Sequence, residues 1–542
     1  MREETRRKTS VKVLLLLLSG MILTACLVLA FAQKERNPAQ QERPRRVSTT
    51  PASSSTLVKA GGDLQAAINK ARPGDTIMLE AGATFVGPFI LPPKSSASSD
   101  FITIRTSAPD ASLPPAGVRI APSYAALMPK IVSPGSNFPA MRTDMGAHHF
   151  KLIGLEFTLR DPSAVSRELL VLGNSQDEIQ NINTLSSVPH HFIVDRCFIH
   201  SFPSNGEVVR GISLNSAFTD VINSYISEIH GTATDSQAIF SWNGPGPYNI
   251  INNYLEGASE NLAFGNGEGT HLVARDVIIR GNYLFKPLSW RGKWLAKNLF
   301  EIKEAERVLM EGNILENSWA NGQNGNAVVF SAPHGELSEI EFRNNIIRHA
   351  GSGFSITNYT TNGLMHDIKI RNNLIEDIDT VKWGGVGIFI NISGVKNVLV
   401  DHNTVFQDGT IVNAYDDTGK GTKILNFVYT NNIAAHNAYG IFGGGFGSKG
   451  IANFFPGSTF RRNIIAAVPS FLDIPTTYPS DNFYPASLDV VGFVDRATGN
   501  YRLAAKSRYR ARATDGTDVG CDFDTLNAAI AGAQSGTPTQ DR

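Results

Sequence analysis

The residues whose types and spacing suit chemistry best lie in Asn298-Leu299-Phe300-Glu301-Ile302-Lys303. Glu301 and Lys303 are two apart, so on a strand both side chains leave by one face while Phe300 and Ile302 leave by the other. An outward lysine amine can take a proton from a substrate, with the carboxylate beside it as electrostatic support. The same pair also has the form of an ordinary surface ion pair. Just upstream, Trp290-Arg291-Gly292-Lys293-Trp294 interleaves two cations with two aromatics, a composition suited to an acidic sugar. The other reading of Trp290, Trp294, Trp242, Trp319 and Trp383 is that they fill space beneath long connections.

The elements that must position these groups announce themselves as a repeat. A strand of the form apolar, x, x, Asn, x, apolar recurs with Asn253, Asn282, Asn313, Asn345, Asn373, Asn403, Asn432 and Asn463, and successive differences are 29, 31, 32, 28, 30, 29 and 31. Ser224 and Cys197 extend the register upstream, and Leu155 is an earlier member beyond a long insertion. A period near 30 with short alternating strands is one coil of a solenoid, in which each coil stacks on the next. The Asn side chains then superpose and satisfy one another as a buried ladder.

A second strand of each coil is phased by alternation. Ile212 and Leu214, Leu262 and Phe264, Phe300 and Ile302, and Val328 and Phe330 point inward. The outward set is Ser213 and Asn215, Phe240 and Trp242, Ala263 and Gly265, Glu301 and Lys303, then Val329 and Ser331. Gly265 is expected to leave an open step between Trp242 and Lys303, rimmed by the 290–294 loop. Asp235 and Glu260 fall in turns on successive coils, and carboxylates converging there can hold Ca2+, which takes about six to eight oxygen ligands. His230, His271, His334, His349 and His402 share no metal-ligand spacing, so no transition-metal site is expected.

Bulk composition narrows the partners. Lysine plus arginine equals aspartate plus glutamate, so no broad basic field exists for nucleic acid. Arg6, Arg7 and Lys8 precede an apolar run from Val13 to Ala32, which engages a membrane as a signal peptide or signal anchor over 1–32. Ala30-Phe31-Ala32 fits cleavage, and Leu23-Thr24-Ala25-Cys26 resembles a lipoprotein box. All of these readings export the rest of the chain. Residues 33–56, rich in Pro, Gln, Arg and Ser, read as a disordered tether, and 531–542 as a disordered tail. Cys197 and Cys521 are too far apart along a rod to pair.

On the asparagine register, 57–530 resembles the pectin-lyase-like superfamily. The resemblance implies an all-β, single-stranded right-handed parallel β-helix, monomeric, with an N-terminal capping helix at Leu64 to Ala71 behind Asp63 and a short capping helix at Leu526 to Ala533. It also implies contact with polysaccharide. The Glu301 and Lys303 region is similar to that of alginate lyases and chondroitinase B, although no Arg stands one coil below Lys303 and the paired acidic ligands are incomplete. The polygalacturonase pattern of Asn-Thr-Asp, Gly-His-Gly and Arg-Ile-Lys is missing. The expectation is a lyase cleaving acidic polysaccharide by β-elimination, with Lys303 as base, Glu301 as support, Trp242, Trp290, Arg291, Lys293 and Trp294 binding sugar, and Asp235 and Glu260 holding Ca2+. The alternative is a non-catalytic cell-surface β-helix that binds glycan or serves as structure.

Overall fold

The computed structural model describes residues 53–95, 98–175, 184–265, 272–360 and 364–537. The membrane-engaging run and most of the tether, and also His271, lie outside the described residues. Three parallel sheets run the length of the rod, with 14, 13 and 12 strands, here sheets A, B and C. Each coil visits them in that order. Ala217–Ile222 lies in A, Tyr225–Ile229 in B and Gln237–Ser241 in C, before Tyr248–Ile251 returns to A. The first strand, Ser55–Val58, already pairs with Thr76–Leu79, so the solenoid begins inside the stretch read as tether.

The ladder sits at the turn from A to B. Asn253 donates its backbone N–H to Asn282 Oδ1 at 2.8 Å, and the same bond recurs from Asn282 to Asn313, Asn345, Asn373, Asn403, Asn432 and Asn463. One further member, Asn482, accepts from Asn463 at a separation of only 19 residues, a short coil that the period hides. The residue before each member from Asn253 to Asn463 takes a left-handed φ, for example Asn252 at 56° and Gly312 at 66°, which makes the corner tight. Inside, Ile212, Leu262, Phe300, Val328 and Phe354 are fully buried, as alternation requires.

The N-terminal helix Leu64–Lys70 closes the first coil, with Asp63 accepting from the Ala66 N–H at 2.8 Å and Leu64 and Ile68 buried. The C-terminal helix behaves differently from the cap expected there. Phe523–Ile530 runs back along the outer face of sheet B, where Phe523 and Leu526 pack with Tyr283, Ile314, Ile346 and Leu374. Residues 531–536, read as the start of a tail, are tied down by buried Arg119. Its guanidinium donates to the carbonyls of Ala533 at 2.7 Å and Asn252 at 3.0 Å. Cys197 and Cys521 are both free and buried.

Candidate functional site

Adjacent strands of sheet C bring the acidic and basic residues together. Arg210 pairs with Gln237, Gln237 with Glu260, Phe240 with Ala263, and Ala263 with Glu301. Outward side chains at these positions line a depression of about 400 Å³ that holds Arg210, Asp235, Gln237, Glu260, Glu301 and Lys303. On its floor Lys303 Nζ lies 3.5 Å from Glu301 Oε1, and the lysine side chain keeps 35% exposure while the glutamate keeps 6%. Asn298 Nδ2 donates to the other oxygen, Oε2, at 2.8 Å, fixing the carboxylate's orientation.

Asp235 and Glu260 converge as the register implies, but the cation between them belongs to the protein. Lys297 Nζ bonds Asp235 Oδ2 and stands 3.9 Å from Glu260 Oε1, while Gln237 Nε2 donates to Glu260 Oε2 at 2.8 Å. These partners do not fit Ca2+ held by Asp235 and Glu260, because the ammonium already fills the space a hard cation would take. Burial pushes the Glu260 carboxyl well up, helped by the charges of Glu301 and Asp235 and opposed by Lys297. Behind it the fully buried Lys286 donates to Asn261 Oδ1 at 2.6 Å and to the carbonyls of Gly257 and Asn298. Burial pulls Lys286 down, opposed by Glu260. Nothing in the pattern distinguished Lys286 or Lys297, since both fall in a B-to-C connection whose path the repeat does not specify.

The aromatic residues depart from expectation. Trp290 and Trp294 are 2% and 6% exposed, packed with Trp319, Trp383 and Ala258 in one cluster, so neither offers a ring face to a sugar. His230 stacks on Trp294 with centroids 3.8 Å apart. Arg291 lies over Trp383 at 4.9 Å and donates to the Lys382 carbonyl, and Lys293 donates to the Pro203 carbonyl at 2.7 Å. The 290–294 loop is therefore a clasp across B-to-C connections rather than a rim of the depression. Trp242 remains half-buried, with the Arg210 guanidinium 4.6 Å from its ring centre, and it is Phe240 that lines the depression. Gly265 has φ +75°, and a Cβ there would meet the Glu304 backbone nitrogen at 2.5 Å, so close approach of the next coil demands glycine.

No family model matches the chain, and no curated protein matches it. Among solved structures it is similar to the PL6 family alginate lyase AlyGC, at 15% identity and TM-score 0.54, over 90% of this chain. The chain spans 58% of the length of that structure. The fold is a right-handed parallel β-helix. Another PL6 alginate lyase, in complex with a trisaccharide, aligns at 12% identity and TM-score 0.49 over 90% of this chain and 95% of that one. Pectate lyase Pel9A aligns at 12% identity and TM-score 0.34, covering 86% of this chain and 96% of that one. At 15% identity the likeness to AlyGC is one of fold.

Proposed function

We propose that this β-helix acts on polysaccharide at the sheet C depression, and that the reaction is β-elimination on a uronate polymer. The observation that carries the reading is the outward Lys303 amine, one-third exposed on the floor of a depression and held beside Glu301. In the elimination Lys303 takes the proton at C5, the C4–C5 double bond forms, and the C4–O bond breaks as the leaving oxygen gains a proton. Arg210 meets the uronate carboxylate, and Lys297 supplies the fixed positive charge that Ca2+ was expected to bring. The buried Glu260 carboxyl, with its proton affinity raised, is the donor for the leaving oxygen.

Incubating the full chain with a panel of uronate polymers and recording unsaturated-product absorbance tests this. Product should form, and a chelator of Ca2+ should leave the rate unchanged. One observation favours the rival, binding without turnover: each named carboxylate of the depression already has an internal cation or amide partner. Retention of the polymer without product would select the rival. The exported location and N-terminal membrane contact belong to the same proposal. An N-terminus starting at Gln33 in the mature protein would choose cleavage over anchoring.

A further inference from the structure

His148-His149-Phe150 and His190-His191-Phe192 open two paired strands of sheet A, His148–Ile153 and His190–Asp195, with His190 opposite His148. On a regular strand neighbouring side chains point to opposite faces, and adjacent histidines could not meet. Here His149 and His191 have φ of 56° and 59°, in the left-handed region. The backbone turn leaves both imidazoles of each pair on the side away from buried Phe150 and Phe192. His148 Nδ1 lies 2.8 Å from His149 Nδ1, and His190 Nδ1 lies 2.7 Å from His191 Nδ1.

Coil stacking superposes the two pairs. His148 and His190 stack with centroids 5.1 Å apart, and His149 and His191 with centroids 4.5 Å apart. One ring nitrogen each of His149, His190 and His191 falls within 4.8 Å of the others. His148 Nε2 sits 3.0 Å from the Lys94 carbonyl oxygen, so in the neutral ring it donates there and leaves the Nδ1 lone pair facing His149. Phe101 meets the edge of His149 and Phe218 stacks on His191, which restrains the rings. Burial, followed by the charges of the other three imidazoles, pushes His190 down to about 4. Burial also lowers His149 and His191, with neighbouring imidazoles adding to it. Within each pair one Nδ1–H donates to the other Nδ1, so an ion ligated through these nitrogens takes the place of that shared proton.

We propose that this tetrad is a binding site for a divalent transition-metal ion of the Zn2+ or Cu2+ class, held by His149, His190 and His191 with His148 completing it. Imidazole suits Zn2+, Cu2+ and Ni2+ far better than Ca2+ or Mg2+. A tetrahedral ion with bonds of about 2.0–2.1 Å wants its ligand nitrogens about 3.3 Å apart. That spacing lies between the 2.7 and 2.8 Å contacts and the 4.8 Å span of the cluster. The ion would staple together two coils joined by the long insertion after Gly173, on a different sheet from the depression. It is independent of the proposed reaction.

The test uses the full untagged chain, stripped of metal, titrated with Zn2+ against a chromogenic chelator and with Cu2+ under electron paramagnetic resonance. One equivalent should bind, the Cu2+ spectrum should show coupling to several nitrogens, and Zn2+ should raise the thermal midpoint. His149→Gln and His190→Gln should each weaken Zn2+ binding by at least about tenfold, a loss of the size that removing a supporting partner alone can cause. His366→Gln, on a histidine paired with Asp367, should leave binding unchanged. Equal Zn2+ affinity in wild type and in the His149 and His190 variants would overturn the proposal. Should those variants fail to fold, a wild-type Cu2+ spectrum without multiple-nitrogen coupling overturns it alone.

Discussion

Two crowded groups of titratable side chains lie on different sheets, and they are satisfied in opposite ways. On sheet C the signs are mixed: Lys297 stands between Asp235 and Glu260, Lys303 beside Glu301, and Arg210 3.8 Å from Glu168. On sheet A the histidines face one another. The corresponding position on later coils of sheet A carries mixed signs again, with Arg307 donating to Asp276 at 2.7 Å and Arg275 to Glu306 at 2.6 Å. One backbone device, a left-handed residue at the second position, serves both cases, with Asp276 at φ 58° and Arg307 at 54°. A cluster of mixed sign supplies its own counter-ions, whereas a cluster of imidazoles alone has no counter-ion of its own and offers its nitrogens to a Lewis acid from outside.

The largest effect that could break this contrast is on turnover. If the sheet C charges perform chemistry, Lys303→Ala should lower kcat on a uronate polymer about 100-fold or more, the scale of a lost proton-transfer group, with KM little changed. A variant with wild-type kcat and a raised KM would leave the depression as a binding surface.

Lys297→Met tests whether the ammonium replaces a metal. Breaking a wholly buried ion pair costs about 3–5 kcal/mol, but here Asp235 can rehydrate and the raised Glu260 carboxyl keeps its proton, so about 2 kcal/mol is expected from urea unfolding at pH 7. Asp235 is 44% exposed, which is what permits that relief. Added Ca2+ should recover part of the loss in the variant and do nothing for the wild type. An equal gain in both would mean that Lys297 does not fill the cation's place.

The solenoid was legible because its period is written in residues that must repeat: the ladder amides need one another at every coil, from Asn253 to Asn463. Glu301 and Lys303 were legible for a related reason, since simple alternation sets their face. The clasp was not, because whether Trp290 and Trp294 face solvent depends on how a 14-residue connection, 286 to 299, folds back. The histidine pairs were hidden twice. Positions 148 and 190 differ by 42, an insertion away from the period, and alternation wrongly sends adjacent side chains to opposite faces where φ is left-handed. A doubled His-His-Phe in two strand starts was the available signal.

The smallest effect is the acid sensitivity of the metal-free tetrad, and its sign follows from which state holds the protons. An unfolded histidine titrates near 6.5, whereas folded His190 does so near 4, and His149 and His191 are also lowered. Between those values the unfolded chain binds protons that the folded chain refuses, so stability falls as pH drops from 6.5 towards 4 and is level above 6.5. Carboxylates with lowered affinity, such as Glu156 and Asp377, also lose stabilisation in acid as the pH falls below their ordinary range. His190→Gln separates the contributions, because it removes one imidazole and its repulsion from the other three while leaving those carboxylates in place. The thermal midpoint of metal-free wild type should therefore decline by a few degrees more than that of His190→Gln over this window. Saturating Zn2+ should widen the gap at pH 7 and lose its benefit as protons compete for the same nitrogens near pH 5. Midpoints that track each other from pH 7 to 4, with and without Zn2+, would mean the sheet A imidazoles are as well partnered as the sheet C charges, and the contrast would fail.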